Sequence, residues 1–177
     1  EVVGLVSSGM TLSDGQVAGG FTQTVLSGGA TVSAFVTSGA QVVDGTTTGT
    51  VVSGAENSVQ IVSSGGVASA TVLSLGDQWV YAGGVAFGTV VSSGSQSVDG
   101  GLAVGTTVGS GAEQDIRRGA AQDTIVSGGF QTIHSGTASG AVTFGAVQSV
   151  NSGAGLPNTS RGPPVEPDEN VPSPATH

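Results

Sequence analysis

Apolar positions recur along the chain in two alternating short patterns. One reads G-x-A-x-x-T-x-V-x-S-G, with copies from Gly66 (GVASATVLSLG), Gly84 (GVAFGTVVSSG), Gly101 (GLAVGTTVGSG) and Gly119 (GAAQDTIVSGG), and a worn copy from Gly136 (GTASGAVTFG). The stretches from Gly20 (GFTQTVLSGG) and Gly45 (GTTTGTVVSG) fit it with shifts of a residue. The other reads G-x-Q-x-V-x-x-G, from Gly39, Gly76, Gly94 and Gly129, and with one extra residue from Gly111 and Gly145. Both are short runs of Val, Thr and Ile closed by Gly, Ser or Asp, which is how strands and turns read. One strand of each kind makes a unit of roughly 16–20 residues, repeated in order along the chain.

Side chains alternate across a strand. In the second pattern one parity holds Gln41, Asn57, Gln78, Gln96, Gln114, Gln131 and Gln148. Two residues further on, the same parity holds Val43, Val59, Val80, Val98, Ile116, Ile133 and Val150. Both columns are expected to face inward. The opposite parity carries Trp79, Tyr81, Ser97, Asp99, Asp115, Arg117, His134 and Asn151 and is expected to face water. Stacked coils explain an inward amide column. Identical amides about 4.8 Å apart bond one another, whereas a lone buried glutamine is costly. In the first pattern Thr71, Thr89, Thr106 and Thr124, with Leu73, Val91, Val108 and Val126, are assigned inward, although the neighbouring parity also carries Val72, Val90 and Ile125.

The predicted fold is all-β: a right-handed parallel β-helix, a solenoid of roughly 16–20-residue coils, its hand following the preference of parallel crossovers. The turn dipeptides Asp14-Gly15, Asp44-Gly45 and Asp99-Gly100 are assigned to corners that need positive φ. The stretches from Gly29 and from Gly54 depart from the pattern, and a bulge or small protrusion is expected there. Periodicity stops after Gly153, and all six prolines follow. Proline cannot join a ladder from an interior position. Two regions result: a β-solenoid over 1–153 and a Pro-rich linker or tail over 154–177.

Composition narrows the function. The 177 residues include 32 glycines, no cysteine, and only three bases, Arg117, Arg118 and Arg161, against 12 acids, for a net charge of −9. No basic surface exists for nucleic acid. A disulfide scaffold or cysteine metal site is excluded. The chain opens without the pattern of a signal peptide. No run approaches the ~18 apolar residues of a membrane helix, so no direct membrane insertion of this segment is expected. It fits a fragment of a longer exported protein.

The segments SSGSQSVDGGLAVGTTVGSG and VSGGFQTIHSGTASGAVTFG resemble the strand-loop-strand stalk repeats of AIDA-type autotransporter adhesin passengers, and the resemblance covers nearly all of residues 5–153. It implies a β-helix held at the bacterial cell surface or secreted, ahead of an outer-membrane barrel that this chain does not contain. Some members of that family carry heptose on repeat serines. This implies glycosylation at Ser64, Ser93, Ser110 and Ser127, although serine also simply suits turns.

Three groups of residues are candidates for chemistry. Asp99, Arg117 and His134 fall in one outward column on consecutive coils, between Tyr81 and Asn151, with neighbours expected within about 5 Å. Polysaccharide-cleaving β-helices use such rows of acids and bases; a charge-compensated ladder on a solvated face accounts for the same residues. Trp79 and Tyr81 lie two apart on one strand as exposed aromatics that suit a sugar or a partner chain. Calcium is not expected, because the Asp-Gly turns supply one carboxylate per corner against the six to eight oxygens the ion takes. His134 and His177 lack partners at metal-ligand spacing. Asn158-Thr159-Ser160 is a glycosylation sequon in form. No catalytic residue, cofactor or metal is assigned.

The reading is therefore a structural stalk and adhesion region, not an enzyme. Its expected partners are a host-surface or bacterial-surface ligand, a glycan, or a second copy of itself. The alternative is a carbohydrate-active or carbohydrate-binding β-helix. A third, ice binding, requires the Thr71–Thr124 column to face solvent.

Overall fold

The computed structural model describes residues 4–54, 57–151 and 160–161. Short runs of β-branched residues separated by corner residues give strands too short to fold back on themselves, so each pairs with its counterpart one coil away. Every coil has three sides. In one coil the glutamine side is Ser58–Val62 and the second side is Val67–Ser69. The chain then enters Val72–Tyr81, whose first half forms the third side and whose second half opens the next coil. Gln60 lies beside Gln41 and Gln78, Ala68 beside Thr47 and Ala86, and Leu73 beside Val52 and Val91, all in parallel ladders. The predicted β-solenoid is thus the observed architecture, with about eight turns. Successive inward glutamines are 17 to 19 residues apart.

The interior is thin and built in columns. Val25, Val43, Val62, Val80, Val98, Ile116 and Ile133 line the glutamine side, Ala68, Ala86, Ala103 and Ala121 the second, and Val36, Val52, Leu73, Val91, Val108 and Val126 the third, all buried. Small alanines on one side let the other two sides close over them. Each fully buried valine contributes about 2 kcal/mol of transfer free energy.

Through this interior runs the amide ladder. Each glutamine donates from Nε2 to Oε1 of the glutamine one coil earlier: Gln41 to Gln23 at 2.9 Å, Gln60 to Gln41 at 2.8 Å, and Gln78, Gln96, Gln114 and Gln131 at 2.6 to 2.7 Å. Gln148 donates to Gln131 in the same way. The same oxygens accept from threonines of their own coil, Thr71 to Gln60, Thr89 to Gln78 and Thr106 to Gln96, each at 3.0 Å. The amide column and the threonine column therefore satisfy each other. Thr71, Thr89, Thr106 and Thr124 are at most 1% exposed, which removes the ice-binding reading.

Three sequence expectations are corrected. The inward pair of the third complete coil is Gln60 and Val62, not Asn57 and Val59: Asn57 has φ 63° and Val59 faces outward. The stretch from Gly20 is a glutamine strand, with Gln23 beside Gln41, and not a shifted copy of the first pattern. The stretch from Gly29 forms a regular coil, Thr31 beside Thr47 and Phe35 beside Val51, so no irregularity falls there. From Gly54 the spacing to the previous glutamine is the longest, 19 residues, and Ala55 and Glu56 lie outside the described residues.

The glycines have two causes rather than one. A left-handed corner recurs at Asp14, Ser33, Gly49, Ala70, Gly88, Gly105, Asp123 and Gly140, so in Asp14-Gly15 it is the aspartate that takes positive φ. At the corner after the glutamine strand both causes meet on consecutive glycines: Gly83 and Gly100 take positive φ, and the glycine after each is required by close approach. A Cβ on Gly84 would sit 2.5 Å from the Val62 carbonyl oxygen, and one on Gly101 2.6 Å from that of Tyr81. Beyond the last glutamine strand, Ser160–Arg161 pairs with Val142–Phe144. The rest of the segment read as a tail lies outside the described residues.

Replacing Gln96 by Leu removes the donor to Gln78 and the acceptor of both Gln114 and Thr106. The expected loss of stability is about 3 kcal/mol, the cost of stranding buried polar groups. Urea denaturation checks it, and a loss below about 0.5 kcal/mol would contradict the ladder's role.

Candidate functional site

Inward positions are committed to the ladder, so any site must be built from the outward parity of the glutamine side. The column that contains Tyr81 continues on successive coils through Asp99, Arg117, His134 and Asn151, set by the registers Tyr81 beside Asp99, Val98 beside Ile116 and Ile133 beside Val150. These residues sit at or just past strand ends, where the chain turns and side chains have room to swing.

The ion pairs differ from the expected one. Asp99 is held by Arg118, not Arg117: Nε donates to Oδ1 at 2.8 Å and Nη2 to Oδ2 at 2.9 Å. Arg117 turns back along its own strand and donates from Nε to Asp115 Oδ2 at 2.9 Å. The reason is position. Arg118 lies past the strand end at the bend and can reach down one coil, while Arg117 shares a strand face with Asp115. Asp115, expected to face water, is only 7% exposed because Arg117 and His134 cover it. Arg118 and Asp115 were not singled out from the sequence, although Arg117-Arg118 is the only basic dipeptide in a chain with three bases.

His134 links this cluster to the next coil. Its Nε2 lies 3.0 Å from Asp115 Oδ1, a buried oxygen that accepts no hydrogen bond among the described residues, and its Nδ1 lies 2.9 Å from Asn151 Nδ2. With the asparagine amide donating, Nδ1 accepts, so the proton of the neutral ring belongs on Nε2, the nitrogen beside Asp115. Arg117, Asp115, His134 and Asn151 thus form a continuous row of polar contacts across three coils. Ser135 Oγ donates to the Arg117 carbonyl beside it.

Two arginine N–H groups on one carboxylate favour its charged form. Donation from Arg118 holds the Asp99 carboxyl below its usual value, against the opposing effect of burial. Arg118 and Arg117 are raised in turn by Asp99 and Asp115.

Trp79 and Tyr81 project from Val72–Tyr81 with ring centroids 6.0 Å apart and planes at 49°. Trp79 is 38% exposed, and Tyr81 is half-buried. Three open hollows run from here along the coil axis. One of about 350 Å³ lies against Val59, Ile61, Asp77, Trp79 and Tyr81. A second of about 510 Å³ lies between Tyr81, Asp99 and Arg118, and a third of about 400 Å³ between Asp99, Arg117, Arg118 and His134. Shared residues make them one strip. All five contact candidates thus come together with Arg118 and Asp115.

The four serines do not share a column. Ser64 sits exposed at the corner after Val62; Ser93, Ser110 and Ser127 follow Val91, Val108 and Val126 on the third side, and Ser93 is half-buried. Among the described residues no three His, Cys, Asp or Glu side chains come together as metal ligands. His177 and Asn158 lie outside the described residues.

The Asp99–Arg118 pair has a pH signature. A carboxyl held below its ordinary value keeps its charge, and the pairing, until the pH falls through that lowered value. An NMR titration of Asp99 should therefore show a higher midpoint in Arg118→Ala than in the parent chain. Equal midpoints would contradict the bidentate contact.

The sequence matches no protein-family model and no curated protein. Among solved structures it is similar to the TibC-catalysed, hyper-glycosylated TibA55-350 fragment, with 28% identity, a TM-score of 0.66, and coverage of 86% of this chain and 72% of that one. TibA is an autotransporter adhesin passenger. In repeat and in coil architecture alike, the chain resembles the strand-loop-strand solenoid of an AIDA-type autotransporter adhesin passenger.

Proposed function

We propose that the chain is the stalk and adhesion region of a bacterial autotransporter-like adhesin, carried at the cell surface and mediating attachment or self-association. The observation that carries this reading is the uninterrupted ladder from Gln23 to Gln148. It makes each coil depend only on its neighbours, so the shaft extends without a new fold. The outward positions are then free for contact. Phe35, Val51, Val72, Val90, Thr107, Ile125 and Val142 stand in one outward row along the third side, with Phe35, Val90 and Ile125 about 40% exposed. An apolar row of this length suits lateral contact between two shafts. The net charge of −9 keeps separate chains soluble until such rows meet.

The hyper-glycosylated state of the TibA fragment supports sugar acceptors here as well, at the exposed Ser64, Ser110 and Ser127 before the half-buried Ser93. The polysaccharide-cleaving alternative has less support. Glycoside hydrolysis needs an acid kept protonated near neutral pH. Asp99 is displaced in the opposite direction by Arg118, and Asp115 is shared between Arg117 and His134.

Fusing the chain to an outer-membrane barrel and displaying it on otherwise non-adherent cells tests the reading. Displaying cells should clump or attach to surfaces, and the double variant Val90→Glu, Ile125→Glu should clump less. Cells that stay dispersed and unattached with the chain on their surface would overturn it.

A further inference from the structure

The strip on the glutamine side is more specific than a shaft requires. In the outward column that holds Trp79, the other coils carry Thr24, Val42, Ile61, Ser97, Asp115, Thr132 and Ser149. Aliphatic or polar residues without an aromatic ring therefore satisfy the fold at this position. Yet the single tryptophan and the single tyrosine of the chain stand side by side here. One coil further along is Asp99, and two coils further are Arg117 and Arg118, the only arginines whose side chains are described, each neutralised by a carboxylate. The inward ladder requires neither the aromatic pair nor its placement beside these ion pairs.

We propose that this strip binds an uncharged, extended oligosaccharide laid along the solenoid axis. The inference rests on the adhesion reading and gives it a ligand class. Its length follows from the strand spacing: from Ser58–Val62 to Phe130–Ile133 is four steps of about 4.8 Å, roughly 20 Å. The aromatic end offers flat apolar faces of the kind that the C–H faces of sugar rings cover. The next positions offer hydroxyl partners. Asp99 presents acceptor oxygens with lone pairs beyond those used by Arg118. The Arg117 and Arg118 side chains are 55% and 74% exposed, with N–H groups beyond their bonds to Asp115 and Asp99. Adjacent donors and acceptors match the vicinal hydroxyls of a sugar ring.

Charge selects against the acidic alternative. Asp77, Asp99 and Asp115 outnumber the two arginines along the strip, and the whole chain carries −9. A polyanion meets no uncompensated positive charge there.

The sole tryptophan makes occupancy directly visible. The purified chain is titrated with cellohexaose, xylohexaose and mannohexaose, and separately with hexagalacturonate, while Trp79 emission is followed. At least one neutral hexaose should shift the emission saturably and bind more tightly than hexagalacturonate. Arg118→Ala should weaken that binding about tenfold, the worth of one hydrogen-bonded contact, while Phe35→Ala on the third side leaves it unchanged. Trp79→Ala, followed by calorimetry, should weaken it at least as much; circular dichroism confirms the fold of each variant. No saturable response to any neutral hexaose, tighter binding of the acidic one, or binding indifferent to both site variants would overturn the site. Displaying cells that clump while the purified chain ignores all these sugars would remove the site and leave the stalk standing.

Discussion

A buried side-chain amide is the constraint on which the rest depends. Removed from water, it must find partners or cost kilocalories. Here the only partner of matching geometry is the same residue one coil away, with a threonine hydroxyl of the coil itself alongside. That requirement fixes the register, because a slip of one residue turns every glutamine outward and every exposed side chain in. It also fixes the shape. Amides can form a ladder only where strands lie parallel and in register, so the chain must wind rather than fold into hairpins. The glycine column follows from the same closeness. At Gly84 and Gly101 the backbone passes the previous coil with no space for a methyl group.

With the interior fixed, variation is confined to the outward parity, and there the coils differ from one another. The third side carries an apolar row, the glutamine side an aromatic pair followed by ion pairs. We propose the first as a contact between shafts and the second as a contact with a ligand. Neither strains the ladder, because outward side chains leave the inward columns untouched. One scaffold can in this way carry several surfaces at different heights, which suits a stalk of the adhesin-passenger kind.

Much of this was legible from residue columns. Gln78, Gln96, Gln114 and Gln131 recur with too regular a spacing to be chance, and alternation alone assigned Trp79, Tyr81 and His134 outward. What was not legible depends on register and on side-chain direction. Counting from Gly54 placed Asn57 in the amide column, because the strand-opening position that Gly39 holds is taken here by Ser58, four residues later; only the pairing of Gln60 with Gln41 and Gln78 reveals it. The stretch from Gly20 matched the wrong pattern because its threonines and glycines imitate both, while Gln23 decides in favour of the ladder. In the strip, alternation gave the column but not the partner. Arg118 lies past the strand end, where alternation no longer applies, and it takes the carboxylate that a straight column would give to Arg117. Asp115 lost its exposure to neighbours that sequence spacing does not show.

The stacking itself can be measured as a length. Ser13, Thr48 and Gln122 stand in one outward column of the second side, with Gln122 four coil steps from Thr48 and six from Ser13. Spin labels at Thr48 and Gln122 should lie about 19 Å apart, and labels at Ser13 and Gln122 about 29 Å, from a step of about 4.8 Å each. Pulsed electron resonance on the two labelled pairs should return these distances, increasing in proportion to the number of coils. A Ser13–Gln122 distance no longer than that of Thr48–Gln122 would mean that the coils do not stack.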